Sequence, residues 1–573
     1  MIRFTTDGSS PTPEHGETYR GPWTIKQTTV LRVAAFMDGK ATSQTSTHSY
    51  LFIQSTLNQP ARPKGYPNGA GAWQGEPSAY AMDPRVVADP RYRDQMGPAL
   101  RALPSVSVVC PHDDLFGANQ GLYQNTEARG PAWEKTCSLE WIETNGASGF
   151  QIDCGLRMQG NTGRIPDKTP KHSFRVLFKS QYGSSKLRYP VFPDSTVHKF
   201  DTLVLRADYN NAWTHWKPED NRRSQRTRDA WLKDSQRDMG WLAPHARYVH
   251  LYLNGLYWGI YDVAERPDAH FAASYLGGEP EDYDVVDDSG AKQGSSRGLR
   301  EIAPRSQRKE PLTLDQVASK LDVTQFIDYL LLNYYAGNRD WGEHKNWYAI
   351  RDRKNGDRFR YYVWDGEIIL QSPKEDIVNA PPQSPFYLAR RLAADAEYRL
   401  LFADRVQKHC FGNGALTPAA TSTRWLHRAR EVKLAILAES ARWGYYRRDP
   451  PYNRDDDWNR EQRRLMLNYF PQRTETLLQQ LRSAGLYPEV AAPAVSVVGS
   501  ETDGLFTATL SGEPDGQVYY TTDGVDPRLP ISGEPSKSAF EYKAVFPIKP
   551  ESVLKIRARR GPVWSALHEY KIR

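Results

Sequence analysis

Alternation dominates the first half of the chain. Short runs of apolar and β-branched positions at period two, closed off by Gly, Pro or Asn, predict strands over Ser105–Val109, Ser138–Ile142, Phe150–Met158, Ser173–Phe178, Thr202–Arg206, Arg247–Leu253 and Tyr257–Ala264. One helix, about Arg226–Met239, interrupts them. Beyond them the apolar spacing becomes helical and predicts helices over Leu314–Lys320, Val323–Ala336, Phe386–Cys410, Pro418–Ala441, Trp458–Phe470 and Pro471–Ser483. The last opens on a proline and is followed by Gly485, the expected punctuation. A β-rich half followed by an α-rich half predicts an α+β, bilobal unit with a cleft between its lobes.

The two ends of the chain repeat each other. Ile2-Arg-Phe-Thr-Thr-Asp-Gly8 matches Val518-Tyr-Tyr-Thr-Thr-Asp-Gly524, and Val30-Leu-Arg-Val33 matches Val553-Leu-Lys-Ile556. Each copy reads as strands around an Asp-Gly turn, as in an immunoglobulin-like sandwich. The C-terminal copy has further strand-like sequence ahead of the motif, Ala494–Val498 and Leu505–Leu510, and the N-terminal copy has none. The expectation is therefore an incomplete N-terminal unit. The Pro-, Gly- and Ala-rich stretch after Leu57 reads as a linker, and Gly485–Pro493 marks a second boundary. The predicted domains are a partial sandwich over 1–55, a linker over 56–102, a central unit over 103–487 and a sandwich over 493–573.

Composition narrows the function classes. At 573 residues the chain needs several cores. No apolar run approaches the length of a membrane span. Lys and Arg exceed Asp and Glu by only +7, and the basic residues are interleaved with acids, which argues against a nucleic-acid stripe. Cys110, Cys137, Cys154 and Cys410 lack CxxC spacing, so zinc is not expected; buried thiols are favoured over a disulfide among the first three. The start carries no export signal.

The informative stretch follows the helix Val323–Ala336. After Gly337 come Asn338-Arg-Asp340, Asn346, a strand Trp347–Arg351, a turn at Asn355-Gly-Asp357, and a strand Phe359–Trp364 running into Asp365-Gly-Glu367. Such a hairpin carries Asn346 at one of its ends and Asp365 at the other, near the loop holding Asp340. An Asn amide and an Asp carboxylate are hard oxygen donors suited to Mg²⁺ or Mn²⁺. Asp340 is then the candidate to orient or deprotonate an attacking hydroxyl. Protein kinases order a loop Asp, an Asn, a β-hairpin and a metal-binding Asp in this way, with a shorter Asp-to-Asn spacing.

Residues about 103–480 resemble the spore-coat protein H (CotH) kinase family through segments that agree in order. They are Leu103-Pro-Ser-Val-Ser, Gly121-Leu-Tyr with Trp133-Glu134, Leu156-Arg-Met-Gln-Gly-Asn161, Lys171-His-Ser-Phe-Arg-Val-Leu-Phe178, Asn254-Gly-Leu-Tyr-Trp-Gly-Ile-Tyr261, Glu265-Arg-Pro-Asp268, Asn338-Arg-Asp340 and Trp364-Asp365. Gly414-Ala-Leu-Thr-Pro418 and Glu439-Ser-Ala-Arg-Trp-Gly444 look similar to a branch found in large modular surface proteins. The Tyr-Thr-Thr-Asp-Gly ends resemble the C-terminal β-sandwich of chitobiases and β-hexosaminidases.

The resemblance implies an atypical protein-kinase-like fold, with a β-rich N-lobe and a helical C-lobe, that transfers phosphate from ATP to Ser/Thr of secreted proteins. It implies Asp340 as catalytic carboxylate and Asn346 and Asp365 as metal ligands, with Glu367, two positions on, as a further acidic candidate. Lys171 is the phosphate-pairing lysine, with Lys168 as alternative. Arg157 and Asn161 are donors near the phosphates, and Glu265 belongs to the segment whose backbone faces the adenine. A carboxylate pairing the lysine is expected from the helix near Arg226–Asp229, with Asp229 chosen. The implied partners are ATP, Mg²⁺ (or Mn²⁺) and a Ser/Thr-bearing protein, with a cell-surface polysaccharide as an optional further one. The implied location is extracellular or in the cell envelope, with a signal upstream of the visible start. The competing readings are a non-catalytic surface scaffold with a pseudokinase core and, more remotely, carbohydrate hydrolysis.

Overall fold

Alternating apolar positions bury one face of each strand, and here seven such strands close on themselves. The computed structural model describes residues 1–302, 310–342, 345–379, 386–500, 505–512 and 514–572. They fall into two compact units, the first comprising Met1–Ala230, Pro244–Gly278 and Trp425–Arg464, and the second Trp231–Ala243, Glu279–Arg424 and Leu465–Arg573. The chain is α+β, with its barrel in the first unit and the long helices Val323–Ala336, Ala396–Cys410 and Phe470–Ser483 in the second.

The first unit is built on a closed barrel of Ser105–Val109, Lys135–Ile142, Phe150–Gln159, Ser173–Leu177, Thr202–Arg206, Ala246–Leu253 and Leu256–Ala264. Every strand read from the alternation is there, within a few residues. Ser105–Val109 pairs parallel with Ala246–Leu253, and all other barrel pairs are antiparallel. Val106, Val108, Leu156, Phe174, Val176, Leu205, Val249, Leu251 and Trp258 form its core.

The stretch 56–102 is not a linker. Trp73 and Tyr80 join the barrel core, while Met82, Val86, Tyr92 and Met96 pack with Tyr252, Tyr257 and Leu437. Its Gly and Pro residues turn the chain, but its aromatic and Met side chains bury enough apolar surface to fix it in place.

In the second unit, Val323–Ala336 is an almost wholly buried helix, capped by Asp322, whose side chain accepts from Gln325 N. A sheet of Tyr283–Asp287, Gly290–Gln293, Trp347–Asp352 and Arg360–Val363 stands beside it in the sequence-distant order that places the last two as a hairpin. Two predicted helices break in two. Phe386–Leu392 and Ala396–Cys410 are separated where the Asp395 side chain caps a new start, accepting from Glu397 N. Pro418–Val432 likewise ends before Ile436–Trp443, which belongs to the first unit. Among the described residues no helix is long and apolar enough to cross a membrane.

The repeat holds in three dimensions. Ile2–Thr5 pairs with Thr29–Met37 as Ile2↔Ala35 and Thr5↔Arg32, and Gln517–Thr521 pairs with Val553–Arg560 as Val518↔Ala558 and Thr521↔Lys555. Those registers are identical under the sequence match, and each sheet has five strands in the same order. The turns agree too: Asp7 Oδ1 accepts from Ser9 N at 2.9 Å, and Asp523 Oδ1 accepts from Val525 N at 3.0 Å. The C-terminal module adds a second sheet, Ala494–Ser500, Leu505–Ser511 and Phe546–Ile548, and a core of Phe506, Leu510, Val518, Leu554 and Ile556 lies in the sandwich.

Candidate active site

The Asp and Asn residues that the sequence singles out, Asp340, Asn346 and Asp365, lie in the second unit beyond the exit of one helix. Val323–Ala336 ends at Gly337, in the left-handed region at φ 58°, where glycine carries no Cβ penalty. The exit loop is pinned by its backbone. Arg339 N donates to Ile368 O at 3.2 Å and Leu370 N to Ala336 O at 2.8 Å. The loop 338–340 thus runs alongside the segment just after Asp365-Gly-Glu367.

Within the loop, Asn338 Nδ2 donates to Asn333 Oδ1 at 3.0 Å, and Asp340 N donates to Asn338 Oδ1 at 3.3 Å. Asn346 Nδ2 donates to Asp340 O at 2.6 Å and to Asp340 Oδ2 at 3.2 Å. Lys345 pairs with Asp340 Oδ1, while its backbone exchanges hydrogen bonds with Gly342. Asp340 and Asn346 are therefore in direct contact. Trp347 faces Val363 in the hairpin, so Asn346, just before Trp347, and Asp365, just after Trp364, flank its open end. Both are non-glycine residues at positive φ, 68° and 59°. Such strained backbone, costing about 1–3 kcal/mol each, persists where surrounding structure imposes it and clusters at functional sites. The hairpin is held from the helix side by Gln236, whose Nε2 donates to Tyr361 O and whose Oε1 accepts from Val363 N, both at 2.8 Å. Glu367 is buried, 4% exposed. Among the described residues no three His, Cys, Asp or Glu side chains form a metal cluster. A cation here would depend on the Asn346 amide, whose Nδ2 is occupied by Asp340 and whose Oδ1 would be the ligating atom. Hard oxygens of this kind fit Mg²⁺.

The first unit places the remaining sequence-predicted residues. Lys171 has no exposed side-chain surface; its Nζ donates to Glu439 Oε1 and to Ile260 O, both at 2.7 Å. Arg226 Nη1 donates to the same Oε1 at 3.1 Å, and Ile260 N donates to Glu439 Oε2 at 2.7 Å. Burial works against the Glu439 carboxylate, but Arg226 and Lys171 outweigh it and hold it below the usual range. Burial, helped by Arg226, pushes the Lys171 ammonium down to about 7 despite Glu439.

The lysine's carboxylate is thus Glu439 and not Asp229, which lies 3.3 Å from Arg206. Helix Ile436–Trp443 brings Glu439 in from far along the chain, whereas the expected source was the helix near Arg226–Asp229. The signal was present: Glu439 sits among Leu437, Ala438 and Ala441 in a helix buried throughout, where an acid demands a cationic partner. Gly259 makes the approach feasible, because a Cβ there would stand 2.5 Å from Glu439 Oε2.

The other donors are engaged locally. Arg157 Nε donates to Glu134 Oε2 at 2.6 Å, and Glu134 also takes Lys179 and the Tyr182 hydroxyl. Asn161 Oδ1 accepts from Arg129 Nη2 at 3.0 Å. Glu265 is buried and accepts from His245 N at 2.9 Å and from the Tyr275 hydroxyl at 2.8 Å. Lys168 lies over the Trp216 ring at 3.8 Å.

With this geometry in view, the comparison with protein families decides the family. Residues 156–313 and 305–477, more than half of the chain, match the model of the CotH kinase protein family. The chain belongs to the CotH kinase family. A second model, described as Fn3 associated, matches residues 1–50, the N-terminal sheet. No curated protein matches the chain. The CotH match covers Lys171, Glu265, Asp340, Asn346, Asp365, Glu367 and Glu439 alike.

Proposed function

We propose that this CotH-family chain is an active protein kinase that transfers the γ-phosphate of ATP to Ser or Thr hydroxyls of extracellular or surface proteins, dependent on Mg²⁺ or Mn²⁺. The observation that carries this reading is the contact between Asp340 and Asn346 at a strained hairpin end shared with Asp365. In the reaction, Asp340 accepts the hydrogen bond of the acceptor hydroxyl and receives its proton. The hydroxyl oxygen bonds to the γ-phosphorus while the bond to the bridging oxygen breaks, and that electron pair leaves with ADP. A Mg²⁺ held by Asn346 Oδ1 and Asp365, with Glu367 as the additional acidic candidate, would neutralise phosphate charge. Lys345, on Asp340 Oδ1, must yield that oxygen for a hydroxyl to take it.

Asp340→Asn and Asp365→Asn each lower ³²P transfer to a Ser/Thr protein by about 10²-fold or more while leaving the thermal melt unchanged. Transfer persisting in both variants overturns the proposal. The enclosure of Lys171 favours a second reading, a non-catalytic scaffold whose lysine serves only the fold. Mg-ATP separates the two, because a ligand at 100 times its Kd stabilises the folded chain by about 2.7 kcal/mol and a chain that does not bind it shows no shift.

A further inference from the structure

Three cysteines, distant in sequence, form one row across three neighbouring barrel strands. In the ladder between Lys135–Ile142 and Phe150–Gln159, Cys137 stands directly opposite Cys154, and their sulfurs are 3.4 Å apart. In the ladder between Ser105–Val109 and Lys135–Ile142, Val109 faces Ser138, so the next residue, Cys110, extends the same register toward Cys137. All three are buried in the barrel core at 1% exposure or less. They are free thiols, and no role in phosphoryl transfer employs them.

We propose that Cys137 and Cys154 are a cross-strand disulfide site that is filled when the chain folds in the presence of a small-molecule disulfide, leaving Cys110 reduced. Directly opposed residues of an antiparallel pair have Cα atoms about 4.5–5.5 Å apart, inside the window a disulfide requires. Side-chain rotation alone then brings the sulfurs together. Cys110 is the poorer partner, because its backbone is clamped beyond the end of its strand. Cys110 N donates to Asn254 Oδ1 and Asn254 Nδ2 donates to Cys110 O, both at 2.9 Å.

The chemistry balances with glutathione disulfide as oxidant. The Cys137 thiolate attacks one glutathione sulfur and expels a glutathione thiolate. The Cys154 thiolate then attacks Cys137 sulfur in the mixed disulfide and expels the second. Two protein thiols are oxidised, and one glutathione disulfide is reduced to two glutathiones. Burial excludes glutathione from the closed barrel, so the bond forms during folding and not afterwards.

The sequence makes the test direct, since one tryptic peptide, Thr136–Arg157, contains both cysteines and another, Ala102–Arg129, contains Cys110. The full chain is refolded in a reduced/oxidised glutathione buffer, alkylated in denaturant and digested. The expected Thr136–Arg157 peptide is two hydrogens lighter than its reduced form and takes up no reagent, while Ala102–Arg129 is alkylated once. Cys110→Ser retains the lighter peptide and Cys154→Ser loses it. Full alkylation of all four cysteines, or a cross-link between the two peptides, overturns the proposal. The same holds if Cys110→Ser abolishes the bond. None of these readouts depends on kinase activity.

Discussion

Lys171 is a cation removed from water, and its neighbourhood shows how a buried charge is tolerated. Removing one member of a buried pair strands the other, at about 3–5 kcal/mol. Glu439 keeps Arg226 and the Ile260 amide when Lys171 is lost, so Lys171→Met falls at the lower end, about 3 kcal/mol by urea denaturation. Glu439→Ala strands two cations and falls at the upper end, about 5 kcal/mol.

Two buried histidines set the acid limit. Burial pushes His172 and His250 down from 6.5 to about 4. His250 Nε2 donates to Ala99 O while Nδ1 accepts from the Tyr257 hydroxyl, a neutral tautomer fixed from both sides. Both folded-state values lie below the unfolded one, so the unfolded chain binds more protons between them. Stability is complete above pH 6.5 and falls as pH drops toward 4, each histidine contributing about 1.4 kcal/mol per pH unit. Urea midpoints at pH 7 and pH 5 check this, and a His250→Gln variant with an unreduced slope contradicts it.

At the scale of elements, the strands of the barrel were legible because each buries a face, and burial writes a period of two into the chain. The sheet strands Tyr283–Asp287 and Gly290–Gln293 escaped notice. Asp284 interrupts the first, and it is acceptable there only because Arg351 of a distant strand and Arg353, just past that strand's end, pair with it. The break at Asp395 was hidden for another reason. Asp within an apolar helical pattern reads as an exposed position until its side chain is seen to cap. The helix–loop boundary that presents Asp340 rests on Gly337. Gly337→Ala places a Cβ in left-handed backbone and 3.1 Å from Glu375 Cβ, so the second unit is destabilised by about 1–2 kcal/mol. If the loop also shifts, the phosphotransfer proposed for this chain falls further than the loss of folded protein accounts for; a thermal melt alongside a phosphotransfer assay separates these contributions.

At the largest scale, the C-terminal sandwich is held to helix Ala396–Cys410 of the same unit by ion pairs and not by a tether alone. Arg557, 2% exposed at its side chain, pairs with Asp526 of its own module at 2.6 Å and with Asp404 of helix Ala396–Cys410 at 2.7 Å. Arg528 reaches Glu397 of that helix at 2.6 Å. Arg557→Ala leaves Asp404 without its buried partner and loses about 3 kcal/mol. Limited proteolysis then cuts between Gly485 and Pro493 and releases the sandwich from an otherwise folded chain. A digestion pattern identical to the wild type disproves the anchoring role.

The sequence alone determined the barrel strands, the helix leading to Asp340, the Asn346–Asp365 hairpin and the repeat at the two ends, because each is local and carries its own periodicity or turn chemistry. Tertiary structure alone decided that the strands close into a barrel, that residues 56–102 join a core, that Glu439 serves Lys171, and that three scattered cysteines share one row. These depend on register and on the desolvation of charges brought together from remote positions; the apolar neighbours of Glu439 call for a cationic partner without saying which one.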